Sequence, residues 1–220
     1  MKHNFSVLMS LYIKESPIFL SKCLESLSFQ TIKASEVVVV IDGPITDELH
    51  AEINFWKTEL NIKTFPIEIN VGLGEALNYG LKKCNFNIVA RMDTDDICLP
   101  NRFEKQLSYF SSNPNVSICG SAIEEIEPFT LKKIAIRTVP LSNDNILDML
   151  PRRNPFNHMT VMYRKDHIIK VGGYKHLPWM EDWYLWSRLL TAGYLGANLP
   201  DITVKARTGS AMLTRRSGMS

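Results

Sequence analysis

The run of four valines and an isoleucine at residues 37–41 constrains the fold of this 220-residue chain more than any other segment. Consecutive β-branched residues favour a strand, because their stiff side chains pack well on a pleated surface. No polar residue alternates with them, which indicates a strand that is buried on both faces. Strands of this kind belong to parallel sheets with helices on both sides, so the run predicts an α/β fold.

Strand and helix patterns alternate along the first half of the chain. Ser16 and Pro17 are typical of a helix start, and Ala76 and Gly80 are small enough to let a later helix lie close to the sheet. The alternation predicts a doubly wound sheet, in which ligands bind beyond the carboxyl ends of the strands. The predicted strands are 6–12, 36–41, 64–69 and 87–90, and the predicted helices are 17–27, 46–57 and 73–81.

The second half has a mixed pattern, which predicts that antiparallel strands extend the sheet. With no linker, repeat or low-complexity segment in the sequence, residues 1–220 are expected to form a single domain, with a donor half at about 1–100 and an acceptor half at about 101–220. The predicted helices are 100–110, 143–150 and 181–190, and the predicted strands are 116–123, 131–139, 158–163, 194–199 and 202–207.

Composition excludes several classes of protein. A formal net charge of +2 does not indicate a nucleic-acid partner. The four cysteines are scattered without paired spacing, so a zinc site or a disulfide framework is not expected and a reducing compartment is. The N-terminus lacks a signal-peptide pattern and no apolar run is long enough to span a bilayer. A cytoplasmic protein with at most peripheral membrane contact is therefore expected.

Three carboxylates, those of Asp93, Asp95 and Asp96, follow the predicted strand at 87–90 within four residues. Anions packed this closely repel one another unless a cation lies among them. Mg²⁺ or Mn²⁺ suits such oxygen ligands together with substrate phosphates. The alternative is an Asp-rich turn, because Asp readily bonds its own backbone. Asp42 also follows a strand end and is expected at the same edge of the sheet.

Several stretches of the chain, taken together and in their order along the sequence, resemble the family 2 glycosyltransferases. These enzymes have the GT-A fold, a Rossmann-like sheet that is mixed but mainly parallel and is flanked by helices. The resemblance covers about residues 5–207 and is greatest to bacterial enzymes that extend O-antigen, capsule or exopolysaccharide repeat units. Such enzymes often run further past a segment like Arg215-Arg216, which is consistent with a chain shortened at its C-terminus. The matching stretches are the first strand, Asp42, residues 70–73, residues 91–96 with their DXD motif, residues 100–103, and residues 181–183.

The resemblance implies a nucleotide-sugar donor, most often UDP-linked, and transfer of a hexose such as glucose or galactose with inversion. It also implies a divalent cation bridging Asp95 and the donor diphosphate, with the shares of Asp93 and Asp96 left open. Asp42 would accept hydrogen bonds from a uracil edge; the alternative is a simple turn residue. The acceptor expected from the resemblance is GlcNAc or GalNAc on a pyrophosphoryl-polyprenol.

Three further residues are expected near the donor, each with a structural alternative. Asn70 and Gly72 precede a helix, where backbone donors suit an anion or nucleotide. They are equally well explained as a cap and a permissive glycine. Arg91 is expected to contact the donor, or else to form an ion pair with the acids that follow it.

The resemblance implies that Asp182 is the base that an inverting transfer needs and that Glu181 binds acceptor hydroxyls. Acids are also favoured at any helix start by the macrodipole, which is the structural alternative. The same dipole is expected to keep Asp182 ionised near neutral pH. Trp179, Trp183 and Trp186 would supply a sugar-stacking wall, although the helical spacing favours the core for Trp186.

Other candidates for acceptor contact are His158 and four arginines. His158 is expected to be structural or to contact an acceptor phosphate. The arginines are interpreted either as solvated surface or as contacts to the acceptor pyrophosphate or to anionic lipid. They are Arg152, Arg153, Arg215 and Arg216.

Two other functions compete with a glycosyltransferase. A sugar-phosphate nucleotidyltransferase shares the α/β nucleotide half, but it usually carries a Gly-rich basic loop after the first strand, which residues 10–14 lack. A non-catalytic nucleotide-sugar binding module would keep the acidic cluster but would not need Asp182.

Overall fold

A computed structural model describes residues 4–177 and 179–208. Its described part contains one nine-stranded sheet with the order β3-β2-β1-β4-β8-β6-β9-β5, and β7 pairs with β6. The strands are β1 (Ser6–Leu11), β2 (Glu36–Asp42), β3 (Ile62–Ile67), β4 (Ile88–Arg91), β5 (Ile97–Cys98), β6 (Val116–Ile126), β7 (Lys133–Arg137), β8 (Met162–Arg164) and β9 (Leu195–Arg207). The helices are α1 (Pro17–Ser28), α2 (Asp47–Trp56), α3 (Leu73–Lys83), α4 (Arg102–Ser112), α5 (Asn143–Met149), α6 (Lys165–Lys170) and α7 (Glu181–Thr191), with a 3-10 turn at His158–Thr160.

The first four strands are parallel, and all seven residues of β2 are buried, as the valine run predicts. Val37, Val39 and Ile41 enter a core with α1, α2 and α4, whereas Val38 and Val40 enter a second core with α3 and α7. Both faces of the sheet are therefore covered by helices, and the predicted α/β fold is confirmed.

β4 is the junction of the sheet. It pairs in parallel with β1 on one side and antiparallel with β8 on the other. The predicted antiparallel extension is thus confirmed, and the segment that follows β4 lies between the two halves of the sheet.

The prediction of a strand at 158–163 is wrong in its first half, and α6 was not predicted. Residues 158–160 form a 3-10 turn because the Thr160 hydroxyl accepts from Ser121 N (3.0 Å) and donates to Asn157 O (2.8 Å). Such side-chain bonds to the backbone compete with a strand ladder.

Other strands also differ from the predictions, including β6, which ends at 126 rather than 123, and β7, which spans 133–137 rather than 131–139. Predicted strands 194–199 and 202–207 form one strand, β9, because β6 accommodates Pro200 through register shifts at residues 121–123. The third strand lies at 62–67 rather than 64–69, and the short β5 was not predicted. Among residues 4–177 and 179–208, no helix has the length and apolar character that crossing a bilayer requires.

Gly80 allows α3 to lie against the sheet, as the sequence indicates. A Cβ atom at Gly80 would lie 2.6 Å from Val40 Cγ2 and still closer to Leu8 Cδ1. Both partners are fully buried, so neither can move into solvent. The approach of α3 to β1 and β2 therefore depends on the missing side chain.

Gly80→Ala is expected to lower the free energy of unfolding by about 1–3 kcal/mol, the usual cost of overpacking a core. Urea denaturation of both proteins measures this. Gly74→Ala in the same helix is the matched control, because a Cβ there meets its nearest atom at an ordinary 3.5 Å. Equal stability of the two variants would contradict the close approach at Gly80.

Candidate active site

The strand ends of β1, β2 and β4 form the edge at which the sequence places the site. A first cleft of about 310 Å³ opens there. Five of the residues singled out from the sequence for donor or metal binding lie together in it. The first cleft is lined by Ser10, Tyr12, Glu15, Asp42, Asn70, Gly72, Leu73, Asp93, Thr94, Asp95 and Trp179.

The acidic cluster, Asp93, Asp95 and Asp96, is compact: one carboxylate oxygen from each residue lies within 4.8 Å of the others. Burial raises the pKa of Asp96 well above its ordinary range, and the negative charges of Asp95 and Asp93 raise it further. The backbone N–H of Arg207 donates to Asp96 Oδ1 at 2.9 Å and opposes this rise only in part. A divalent cation would relieve the repulsion, so the donor set fits Mg²⁺ or Mn²⁺.

Arg91 lies beneath this cluster and is 2% exposed. Its Nη2 atom forms an ion pair with Asp93, the structural alternative for this residue. Burial lowers the pKa of Arg91, but the charge and the hydrogen bond of Asp93, together with the charges of Tyr174 and Asp96, outweigh burial and the net direction is upward. Nε and Nη1 of Arg91 have no hydrogen-bond partner among the described residues.

Asp42 organises the start of α3. Its Oδ1 accepts from Val71 N (2.7 Å) and its Oδ2 from Gly72 N (3.0 Å), while Asn70 Nδ2 donates to the Asp42 carbonyl (3.1 Å). Gly72 is the N-cap with φ +86°, a conformation that favours glycine. The structure therefore supports the permissive-glycine alternative for Gly72, whereas Asn70 bonds the Asp42 carbonyl and does not cap α3. The donor contacts of both residues stay a prediction.

Sequence reasoning missed two residues of the loop after β1. Tyr12 lines the first cleft, and Glu15, 7% exposed, accepts from Thr94 Oγ1 at 2.5 Å and from Ser16 N at 2.7 Å. The end of β1 lies on the same edge as Asp42, so the strand-end rule, applied to β1 as well, would have found them.

A second cleft of about 590 Å³ adjoins the first and shares Leu73, Asp93 and Trp179 with it. The helix start of α7 brings Glu181 and Asp182 into this cleft, 88 residues or more along the chain from Asp93. The second cleft is lined by Leu73, Arg91, Asp93, Arg137, Thr138, Val139, Met149, Arg153, Asn154, Phe156, Asn157, His158, Met159, Trp179, Glu181 and Asp182.

The Asp182 carboxylate is held on both oxygens. Oδ1 accepts from Trp183 N and Oδ2 from Asn154 Nδ2, each at 2.7 Å. The Asn154 amide is oriented in turn, because its Oδ1 accepts from Phe156 N at 3.2 Å. Asn154 was not found from the sequence, since nothing local links it to a residue 28 positions away.

Burial raises the pKa of Asp182, although the bonds from Trp183 and Asn154 act in the opposite direction. The helix dipole alone predicts the opposite direction, a carboxylate that ionises more easily. Desolvation is therefore the larger influence on this carboxylate.

His158 lines the second cleft, but its Nε2 atom lies 2.9 Å from the Tyr174 hydroxyl. Burial lowers the pKa of His158 well below its ordinary range, and the Arg91 charge lowers it further. A neutral imidazole offers no charge to a phosphate, so the geometry favours the structural role for His158.

The tryptophans differ in their roles. Trp186 is fully buried against Phe156 and His158, as the helical spacing favours. Trp183 donates through Nε1 to Leu150 O at 2.9 Å. Trp179 is 66% exposed with φ +70° and lies where the two clefts meet.

The four arginines considered for acceptor contact also differ in their positions. Arg152 and Arg153 are both exposed, but only Arg153 lines the second cleft. Arg215 and Arg216 lie outside the described residues.

Solved structures with the same fold bind nucleotide sugars. TarS of S. aureus (residues 1–349), solved with UDP-GlcNAc, matches 94% of this chain with a TM-score of 0.76 at 20% identity. The mannosyltransferase PcManGT of Pyrobaculum calidifontis, solved with GDP-Man and Mn²⁺, matches 97% with a TM-score of 0.72 at 18% identity. The chain spans 59% and 61% of these two structures. At such identities the likeness establishes the fold, which is GT-A.

Curated relatives are much closer in sequence. The amylovoran biosynthesis glycosyltransferase AmsE of Erwinia amylovora is 49% identical over 97% of this chain and 80% of its own length. A UDP-Gal:alpha-D-GlcNAc-diphosphoundecaprenol beta-1,3-galactosyltransferase of Escherichia coli is 42% identical over 98% of this chain and 78% of its own. Residues 6–177 also match the family profile described as Glycosyl transferase family 2. The chain therefore belongs to glycosyl transferase family 2.

Proposed function

We propose that this chain is a metal-dependent, inverting hexosyltransferase of surface-polysaccharide biosynthesis. The donor is UDP-glucose or UDP-galactose, and the acceptor is GlcNAc or GalNAc linked through pyrophosphate to a polyprenol. The observation that carries the proposal is that Asp182 and Asp93 line the same cleft, with the acidic cluster adjoining it. The E. coli relative, named for UDP-galactose and a GlcNAc-diphosphoundecaprenol, supports these substrates, and AmsE supports the polysaccharide role.

The first cleft suits the nucleotide. Each Asp42 oxygen accepts one backbone N–H and keeps a second lone pair, which accepts from the uracil edge. The Tyr12 ring is a surface on which the base stacks, and Glu15 and Asp93 accept from ribose hydroxyls. Arg91, held by Asp93, contacts the hexose from the second cleft.

The acidic cluster is the metal site of the proposal. Asp95 binds Mg²⁺ or Mn²⁺ directly, and Asp93 and Asp96 complete the ligand set or support it. When bound, the cation acts as a Lewis acid towards the donor diphosphate. The cation would stabilise the charged form of Asp96 most, because burial and two neighbouring carboxylates disfavour that charge. The Mn²⁺ in the Pyrobaculum structure supports a divalent cation of this kind at the acidic cluster.

Asp182 takes the proton of the acceptor hydroxyl as that oxygen attacks the anomeric carbon, which inverts in a single displacement. Trp183 N and Asn154 Nδ2 fix the plane of the carboxylate and leave a lone pair on each oxygen. Burial makes the carboxylate more basic, as this role requires. The polyprenol brings the chain to the inner face of the cytoplasmic membrane as a peripheral protein.

Asp182→Asn is expected to keep UDP-sugar binding and to lower kcat by about 10²–10⁴-fold, the usual contribution of a general base. Calorimetry with UDP-galactose and a turnover assay with a GlcNAc-diphosphate acceptor measure the two effects. Asp144→Asn, the same change in the first turn of α5 and outside both clefts, is the matched control. Unchanged turnover in Asp182→Asn would contradict the base role. Binding of UDP-galactose without turnover in the wild type would instead favour a nucleotide-sugar binding role.

Asn154→Ala removes a hydrogen bond that favours the charged carboxylate, so the pKa of Asp182 should rise further. Activity needs the ionised base, and therefore the acidic limb of the kcat/KM–pH profile should move to higher pH. A bond to a charged group contributes about 1.5–3 kcal/mol, which corresponds to a shift of about one pH unit or more. Asn154→Asp should move the limb further, and an unmoved limb in Asn154→Ala would rule out this positioning role.

A further inference from the structure

The second cleft carries cations that the reaction described above does not use. The geometry points to Arg137 and Arg153 as an anion subsite that binds the diphosphate of the acceptor while its sugar faces Asp182. This subsite rests on the proposed function, and it makes the enzyme selective for sugars that bear a diphosphate over neutral glycosides.

Arg153 is the stronger half of the subsite. Its side chain lines the second cleft and makes no hydrogen bond or ion pair with any residue in the described part of the chain. Its backbone is fixed by the turn after α5, in which Arg153 N donates to Met149 O at 3.0 Å. The next residue, Asn154, holds Asp182, so a single loop supports both the base and an uncompensated positive charge.

Arg137 lies at the end of β7, and its side chain is 43% exposed. Its Nη2 atom pairs with Glu125, which anchors the guanidinium group but uses only part of its five donors. The two residues that follow, Thr138 and Val139, line the same cleft. Arg137 is therefore held in place with donors left for a ligand.

The acids of the second cleft set the orientation of the acceptor. The charge of Asp93 is offset by Arg91, whereas Glu181 and Asp182 form no ion pair with any described residue, including the two arginines. Carboxylates repel a diphosphate but accept hydrogen bonds from sugar hydroxyls. An acceptor thus binds with its hydroxyl at Asp182 and its diphosphate at Arg137 and Arg153, where planar guanidinium groups suit phosphate oxygens.

The test compares two acceptors, GlcNAc-diphosphate on a short alkyl chain and the neutral alkyl glycoside of GlcNAc. Arg153→Ala and Arg137→Ala should each raise KM for the diphosphate acceptor at least tenfold and leave KM for the neutral acceptor and the donor unchanged. Arg152→Ala, the exposed neighbour that does not line the cleft, should change none of these values. An equal change for both acceptors, or no change for either, would overturn the subsite.

A binding assay tests the subsite without turnover. With UDP and Mn²⁺ filling the first cleft, calorimetry with an alkyl diphosphate that lacks a sugar should detect binding to the wild type and at least tenfold weaker binding to Arg153→Ala. Equal binding to both proteins, or none to the wild type, would overturn the subsite. Diphosphate binding without transfer to either acceptor would instead count against the proposed function alone.

Discussion

The repulsion among Asp93, Asp95 and Asp96 is the constraint on which the rest of the site depends. The chain confines these carboxylates within 4.8 Å of one another but balances them incompletely, with Arg91 on Asp93 and the backbone N–H of Arg207 on Asp96. Arg207 comes from the end of β9, 111 residues after Asp96, so the balance depends on closure of the whole sheet. The divalent cation of the proposed function would complete this balance.

The junction at β4 explains why two different clefts adjoin at one edge of the sheet. On the parallel side, the ends of β1 and β2 shape the first cleft around Asp42. On the antiparallel side, the turn at 158–160 and the loop at 150–157 shape the second cleft around Asp182. The starts of α3 and α7 approach each other there, since a Cβ on Gly74 would lie 3.7 Å from Glu181 Cβ. The positive ends of these two helices therefore lie beside the place proposed for the donor diphosphate.

The features that could be predicted from the sequence are those fixed by local pattern. A β-branched run identifies a buried strand, and the end of that strand identifies a position at the edge of the sheet where ligands bind. Asp42 and the acidic cluster were therefore both predicted at this edge. Tyr12 and Glu15 were missed because the strand-end rule was not applied to β1. Asn154 was missed because its contact with Asp182 joins residues 28 positions apart. The dipole argument for Asp182 failed to give the direction of its pKa, because burial is decided by tertiary packing rather than by the helix start.

In the proposed function, a divalent cation joins the acidic cluster to a nucleotide diphosphate. Electron paramagnetic resonance of Mn²⁺ titrated into the protein, with and without UDP, tests it most directly. We expect one tightly bound Mn²⁺ per chain when UDP is present, and loss of this bound Mn²⁺ in Asp95→Asn. Absence of bound Mn²⁺ in the presence of UDP, or equal binding in Asp95→Asn, would contradict it.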